Sequence, residues 1–253
     1  MKHSFSLFGF SFLVFFTISC SSKDDNSELQ ENDAISSDVP SVYSKIYKAS
    51  DIYLEGAFVV IEVNGVPDHN SPYFDEGDSR NVAYDGSNNN FNLNPNRINT
   101  TTNYTYKIPL EPSPTSSARP TSLGSIGVAL NGVAFFNQYA GPNNQPLTNE
   151  INSFDQYSGH PQQQGIYHYH IEPTYLTASK GNDVILGFLL DGYPVYGPFE
   201  NGNRITNSDL DEFHGHTHKT DDFPNGTYHY HITDADPYLN GNGYYGTPGT
   251  VTQ

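Results

Sequence analysis

The chain has 253 residues, with 28 acidic against 11 basic side chains and a formal net charge of −17. No basic patch stands out, so nucleic acid is not an expected partner, and a carboxylate surplus of this size favours solubility and draws cations. A single cysteine excludes an internal disulfide framework, while 22 glycines and 17 prolines point to short strands joined by many turns.

In chain order, Lys2 supplies a short positive start, and Phe5 to Ile18 is an apolar stretch without charge. It is too short to span a bilayer and fits a secretory signal. Thr17-Ile18-Ser19-Cys20 resembles a bacterial lipoprotein cleavage box, with Thr17 where leucine is usual. Residues 1–19 therefore read as a lipoprotein signal peptide, and Cys20 as an acylated mature N-terminus that anchors the chain to a membrane. Acylation uses the only thiol, so a cysteine-ligated zinc site and thiol catalysis are both excluded. The following Ser-Ser-Lys-Asp-Asp resembles an export tag, which places the protein at the outer membrane or cell surface, lipid-anchored and extracytoplasmic. Residues 20–46, rich in Ser, Asp, Asn and Glu, read as a flexible tether, and residues 47–253 as the folded domain.

Within that domain Ala57–Val63 has the composition of a buried strand, followed by the turn signal Asn64-Gly65. Residues 85–99 are dense in Asn and Gly and read as a loop. Tyr104, Tyr106, Ile108 and Leu110 alternate with Thr105, Lys107 and Pro109, the pattern of a half-buried strand in which Pro109 marks an edge or an end. Glu111–Pro120 reads as a Pro/Ser linker. The Asp/Asn-rich segments 75–78 and 85–94 lack EF-hand spacing, so calcium is not expected.

Three blocks then occur twice in the same order. Gly127-Val-Ala-Leu-Asn131-Gly132 is echoed by Gly187-Phe-Leu-Leu-Asp191-Gly192, each a candidate hairpin. Asp155-x-x-x-Gly159-His160 is echoed by Asp211-x-x-x-Gly215-His216, and Gly165-x-Tyr-His-Tyr-His170 by Gly226-x-Tyr-His-Tyr-His231. The offsets between copies are 60, 56 and 61 residues, so only the linkers differ. This implies an internal duplication over about 122–176 and 182–236. The expected fold is mostly β, an internally duplicated two-lobed domain of sandwich or barrel type with few or no long helices. The two histidine strands are expected to meet near a pseudo-twofold axis.

Successive strand residues face opposite sides. His168 and His170 therefore share one face, as do His229 and His231, while the tyrosines between them take the other. One His-x-His is more often a hydrogen-bonded pair than a ligand pair. Two copies, each preceded by a Gly-His, point instead to a transition metal, zinc or copper, held in one dinuclear or two mononuclear sites. The expected ligands are His160, His168 and His170 from one copy and His216, His229 and His231 from the other. Asp155 and Asp211, five residues before a histidine, are candidates to orient the ligating imidazoles. His214 and His218 lie in a polar segment and are expected to be peripheral.

On these motifs the chain resembles the bacterial YHYH-domain family. The resemblance covers about 50–250, beginning at Asn64-Gly65-Val66-Pro67-Asp68-His69 and running through both repeats. It implies the fold and the histidine site, and adds His69 as a site candidate. It also implies cysteines where this chain has Tyr157, Tyr175 and Phe213, and near Tyr244, so that aromatic packing replaces disulfides here. It supplies no reaction. Three function classes follow: a cell-envelope protein that captures or buffers metal, a metal-dependent enzyme such as a hydrolase of extracellular polymers or esters, and a surface adhesin or glycan binder with a structural metal.

Overall fold

A computed structural model describes Met1 and residues 38–253. The signal peptide, Cys20 and most of the expected tether lie outside these described residues. The packed chain begins before the expected boundary at residue 47. A 3-10 turn spans Ser41–Lys45, and Val39, Tyr43 and Ile46 are buried. Tyr43 lies within the turn while Val39 and Ile46 flank it, so no helical period marks the three, and the surrounding Ser and Asp residues give the segment a polar composition.

Strands β1 (Ala49–Glu55), β2 (Phe58–Val63) and β3 (Tyr104–Pro109) pair with the C-terminal β18 (Thr250–Thr252) in the antiparallel order β1-β2-β3-β18. The alternation of β3 is realised, with Tyr104, Tyr106 and Ile108 buried. Pro109 closes that strand, where its missing N–H removes no central ladder bond. The expected linker 111–120 is instead largely strand. β4 (Pro114–Arg119) pairs with β17 (Tyr244–Gly246). Its partner is far along the chain, so no local pattern announces the pairing.

The second sheet has eight strands: β5 (Ser125–Ala129), β6 (Ala134–Phe136), β9 (Gly159–Pro161), β10 (Tyr167–Tyr169), β11 (Ile185–Leu189), β12 (Pro194–Tyr196), β15 (Gly215–His218) and β16 (Thr227–His231). The Asn131-Gly132 and Asp191-Gly192 turns close the β5–β6 and β11–β12 hairpins as expected. The strand order is β15-β16-β12-β11-β5-β6-β10-β9. Read from either end, matching repeat elements occupy matching places, with β5 and β11 at the centre.

This order corrects the expectation that the two histidine strands meet near a pseudo-twofold axis. β10 pairs in parallel with β6, and β16 with β12. Each histidine strand therefore lies outside its own hairpin, and the first strands of the hairpins take the middle. Five strand spacings separate β10 from β16, roughly 24 Å at about 4.8 Å each. Both repeats contribute to one open sheet, and the described residues form no closed barrel.

Two small hairpins complete the frame: β7 (Tyr139–Ala140) with β8 (Gln145–Pro146), and β13 (Phe199–Glu200) with β14 (Asn203–Arg204). The α-helix among the described residues is the seven-residue α1 (Thr174–Lys180). One apolar core joins the two larger sheets, with Ile52, Val59, Ile61 and Ile108 from the first and Val128, Phe135, Phe188 and Val195 from the second. Burying such a side chain fully contributes about 1.5–3 kcal/mol.

The central β5–β11 pair depends on missing side chains. A Cβ on Gly127 would stand 2.4 Å from the Phe188 carbonyl oxygen, and one on Gly187 would stand 2.2 Å from that of Val128. Both obstacles are backbone and cannot step aside. Gly187→Ala is therefore expected to destabilise the protein by about 1–3 kcal/mol, read as a lower midpoint in urea unfolding followed by circular dichroism.

Candidate metal centres

Register places the histidines. In the antiparallel ladder His160 of β9 lies directly opposite His168 of β10, and His216 of β15 directly opposite His229 of β16. The residue two further along, His170 or His231, points to the same face. Each repeat thus assembles three imidazoles from two adjacent strands. The six histidines expected as ligands are all brought into trios, one trio at each end of the sheet.

Each trio is completed by a glutamate: Glu150 with His160, His168 and His170, and Glu200 with His216, His229 and His231. In both groups one ligand atom per residue lies within 4.8 Å of all the others. Glu150 Oε1 is 3.1 Å from His160 Nε2 and 4.0 Å from His170 Nε2. Glu200 Oε1 is 3.4, 3.3 and 4.0 Å from the Nε2 atoms of His216, His229 and His231. The repeat comparison does not reveal these glutamates, because they occupy non-equivalent positions. Glu200 ends β13, whereas Glu150 opens the 3-10 turn Glu150–Ser153 after β8. A signal was nonetheless present: Glu150 is the only acidic residue from 132 to 154, and Glu200 the only one from 192 to 208.

Hydrogen bonds set the tautomers. His168 Nδ1 donates to the Ile166 carbonyl at 2.9 Å and His170 Nδ1 to that of Asn137 at 2.5 Å. In the other trio His229 Nδ1 donates to Thr227 O at 3.2 Å and His231 Nδ1 to Gly197 O at 2.8 Å. A carbonyl only accepts, so each of these Nδ1 atoms carries the proton and each Nε2 presents a lone pair. Ser153 gives its hydroxyl proton to the Glu150 carbonyl and so accepts from His160 Nδ1 at 2.7 Å.

The lone pairs then converge. His168 Nε2 is 3.1 Å from His160 Nε2 and 2.9 Å from His170 Nε2, and His216 Nε2 is 3.2 Å from His229 Nε2. Facing lone pairs cannot bond one another. His231 Nε2 is buried without any hydrogen-bond partner. Four ligands on a tetrahedral zinc stand roughly 3.3 Å apart, given bonds of about 2.0–2.1 Å, and the observed separations bracket that value.

Protons are poor substitutes for a metal here. Burial, with repulsion from His160 and His170, holds the His168 imidazole well below its ordinary value. Burial, reinforced by His160, lowers His170 to about 4. Burial also lowers His229, and takes His231 to about 4. Burial alone would raise Glu150 and Glu200, but the neighbouring histidines outweigh it and hold both carboxyls below the ordinary value.

Asp155 and Asp211 do other work than the expected support of imidazoles. Asp155 Oδ1 accepts the backbone N–H of Tyr157 at 2.9 Å, and both its oxygens accept the Tyr167 hydroxyl at 2.9 Å. Asp211 Oδ1 accepts from Phe213 N at 2.9 Å and from the Tyr228 hydroxyl at 2.8 Å. These aspartates shape the turn before each Gly-His and tie down the first tyrosine of the repeated tetrapeptide on the reverse face. In the same turns Ser158 and His214 adopt φ of 69° and 75°. The second tyrosines are held in parallel fashion. Tyr230 donates to Asp191 at 2.6 Å, and Tyr169 accepts from Asn131 at 3.1 Å. Burial raises Asp191 to about 6.

His69 lies outside both trios. Its Nε2 meets the Tyr169 hydroxyl at 3.0 Å and its Nδ1 the Asn70 carbonyl at 3.0 Å, on the tyrosine face. His214 is buried and pairs with Thr233 Oγ1 at 3.1 Å, because the tight turn directs it inward. His218 stays half exposed, with Nδ1 3.0 Å from Glu200 Oε1. At the positions where the family resemblance implies cysteines, Tyr157 packs edge-on against Tyr175 at 5.3 Å, and Phe213 against Tyr245 at 5.9 Å.

These features define a mostly β protein with two His/Glu clusters that can each hold a metal ion. The family model described as YHYH protein matches residues 105–207 and 199–242. The chain belongs to this family. No curated protein and no solved structure gives a match.

The depressed imidazoles also make the metal-free fold acid-sensitive. The unfolded chain takes up these protons near pH 6.5, whereas folded His170 and His231 resist until about 4. Their contribution to stability is complete above 6.5 and is lost as pH falls through that window. Urea titrations of the metal-free protein at pH 7.5, 6 and 4.5 should give successively lower midpoints, and a flat series would contradict the burial of neutral imidazoles.

Proposed function

We propose that the protein is a lipid-anchored metal-holding protein of the cell envelope, capturing or buffering zinc or copper through two separate mononuclear centres. The observation that carries this reading is the convergence of Nε2 lone pairs, fixed by Nδ1–H bonds to carbonyls, with a carboxylate as fourth donor. Such a set has no internal proton to satisfy it and suits a borderline cation that accepts nitrogen and oxygen donors. Four protein donors per centre favour holding a metal over activating a water. The net charge of −17 draws cations toward the chain. The duplicated blocks support descent of both centres from one ancestral unit.

Anchoring rests on the sequence around Cys20. Lipidation there would hold both centres at the membrane surface while leaving the domain in an extracytoplasmic compartment. Cys20→Ser is expected to move the protein from the membrane fraction to the soluble extracytoplasmic fraction and to abolish incorporation of a labelled fatty acid. Retention of label in the variant would remove the anchor.

Elemental analysis of the purified protein should find two equivalents of zinc or copper per chain. His168→Ala and His229→Ala should each leave one equivalent, and the double variant none. An unchanged metal content in the double variant would eliminate the ligand assignment.

A further inference from the structure

The two centres differ in what surrounds the carboxylate. Glu200 is held by a further histidine, with His218 Nδ1 3.0 Å from Oε1. His218 lies opposite Thr227 in the β15–β16 ladder, and the matching position in the first repeat is Gln162. Among the described residues, the carboxylate of Glu150 meets only the imidazoles of its own centre. Glu150 also sits on a short 3-10 turn rather than on a strand. It is therefore the freer of the two glutamates.

The first centre also has a space in front of it. Glu150, His160, His168 and His170 all line a cleft of about 680 Å³, within the range of small-molecule sites. Its other walls include the amides of Gln162 and Gln163, those of Asn94 and Asn96, whose N–H groups already donate to the Pro161 carbonyl, the half-buried ring of Tyr139 and the exposed side chain of Leu123. No lysine or arginine lines it, so an anionic ligand would find no partner there in a chain already strongly negative. Side-chain amides that both donate and accept, beside an aromatic face, match the hydroxyls and the apolar face of a sugar ring.

The geometry points to a ligand site at the first centre only: a neutral saccharide in this cleft, with one hydroxyl directed at the ion that Glu150, His160, His168 and His170 would hold. Gln162 and Tyr139 position the ring, and the second centre, with Glu200 tied to His218, serves to hold its metal without a guest. This assignment rests on the metal-holding reading above, and its test separates the two.

The purified protein is loaded with cobalt(II), whose visible absorption reports coordination, and titrated with cellobiose, maltotriose and chitobiose. Calorimetry is run in parallel on the loaded and the metal-free protein. At least one of these saccharides should bind one equivalent per chain, shift the cobalt absorption, and bind at least tenfold more weakly without metal. The shift should persist in His229→Ala, which keeps only the first centre, and disappear in His168→Ala, which keeps only the second. Gln162→Ala and Tyr139→Ala should each weaken binding about fivefold or more while cobalt stoichiometry stays at two.

If cobalt does not load, the metal-holding reading fails and the metal contact falls with it, while calorimetry on the metal-free protein still decides whether the cleft takes a saccharide. If cobalt loads at two equivalents but none of the three sugars binds, the saccharide assignment is overturned. It is equally overturned if the shift survives in His168→Ala, or if both cleft variants bind as the parent does.

Discussion

The antiparallel pairing of a Gly-His strand with a Tyr-His-Tyr-His strand is the constraint from which the rest follows. One register puts His160 against His168 and His216 against His229. Strand periodicity then adds His170 and His231 to the same face. A slip of one residue would send all the imidazoles of the tetrapeptide to the tyrosine side. Much of the surrounding structure serves to prevent that slip. Asp155 and Asp211 bond the turn and the first tyrosine together, and Asn131 and Asp191 bond the second. The tyrosine face is the lock, and the histidine face is the product.

The same lock explains why the imidazoles remain neutral donors. Backbone carbonyls accept each Nδ1 proton on the tetrapeptide histidines, and burial keeps a second proton from arriving. Backbone carbonyls are rigid, so ring orientation is set by the sheet itself and not by a flexible carboxylate. The two glutamates, by contrast, come from segments outside the repeated blocks. Two centres with the same histidine frame can therefore differ through the one ligand that the frame does not supply.

The palindromic strand order separates the centres. Parallel pairing of β6 with β10 and β12 with β16 drives the histidine strands outward, while the glycines of β5 and β11 let the two hairpins meet back to back. Each centre is then a local product of one repeat, and neither depends on ligands from the other. Aromatic pairs at Tyr157–Tyr175 and Phe213–Tyr245 brace the loops on the tyrosine side.

Much of the site could be read from the linear chain, because its determinants are short-range. Strand periodicity gives the shared face of His168 and His170, the Asn-Gly and Asp-Gly turns give the hairpins, and the twice-repeated order gives six histidines in two trios. Glu150 and Glu200 escaped that reading because a 3-10 turn delivers one and a hairpin strand the other, from positions that do not align. Asp155 was assigned to the wrong partner, because sequence spacing does not say which face of the ladder a preceding turn will meet. Strand pairing between distant segments escaped too, in β4 with β17 and in the outward placement of β10 and β16. What the amino-acid sequence alone determined was the identity of the imidazoles and the faces they share, since both depend on neighbours within a few residues. Only the tertiary structure decided that the trios stay apart and which carboxylate completes each, since both depend on which strands find one another across the sheet.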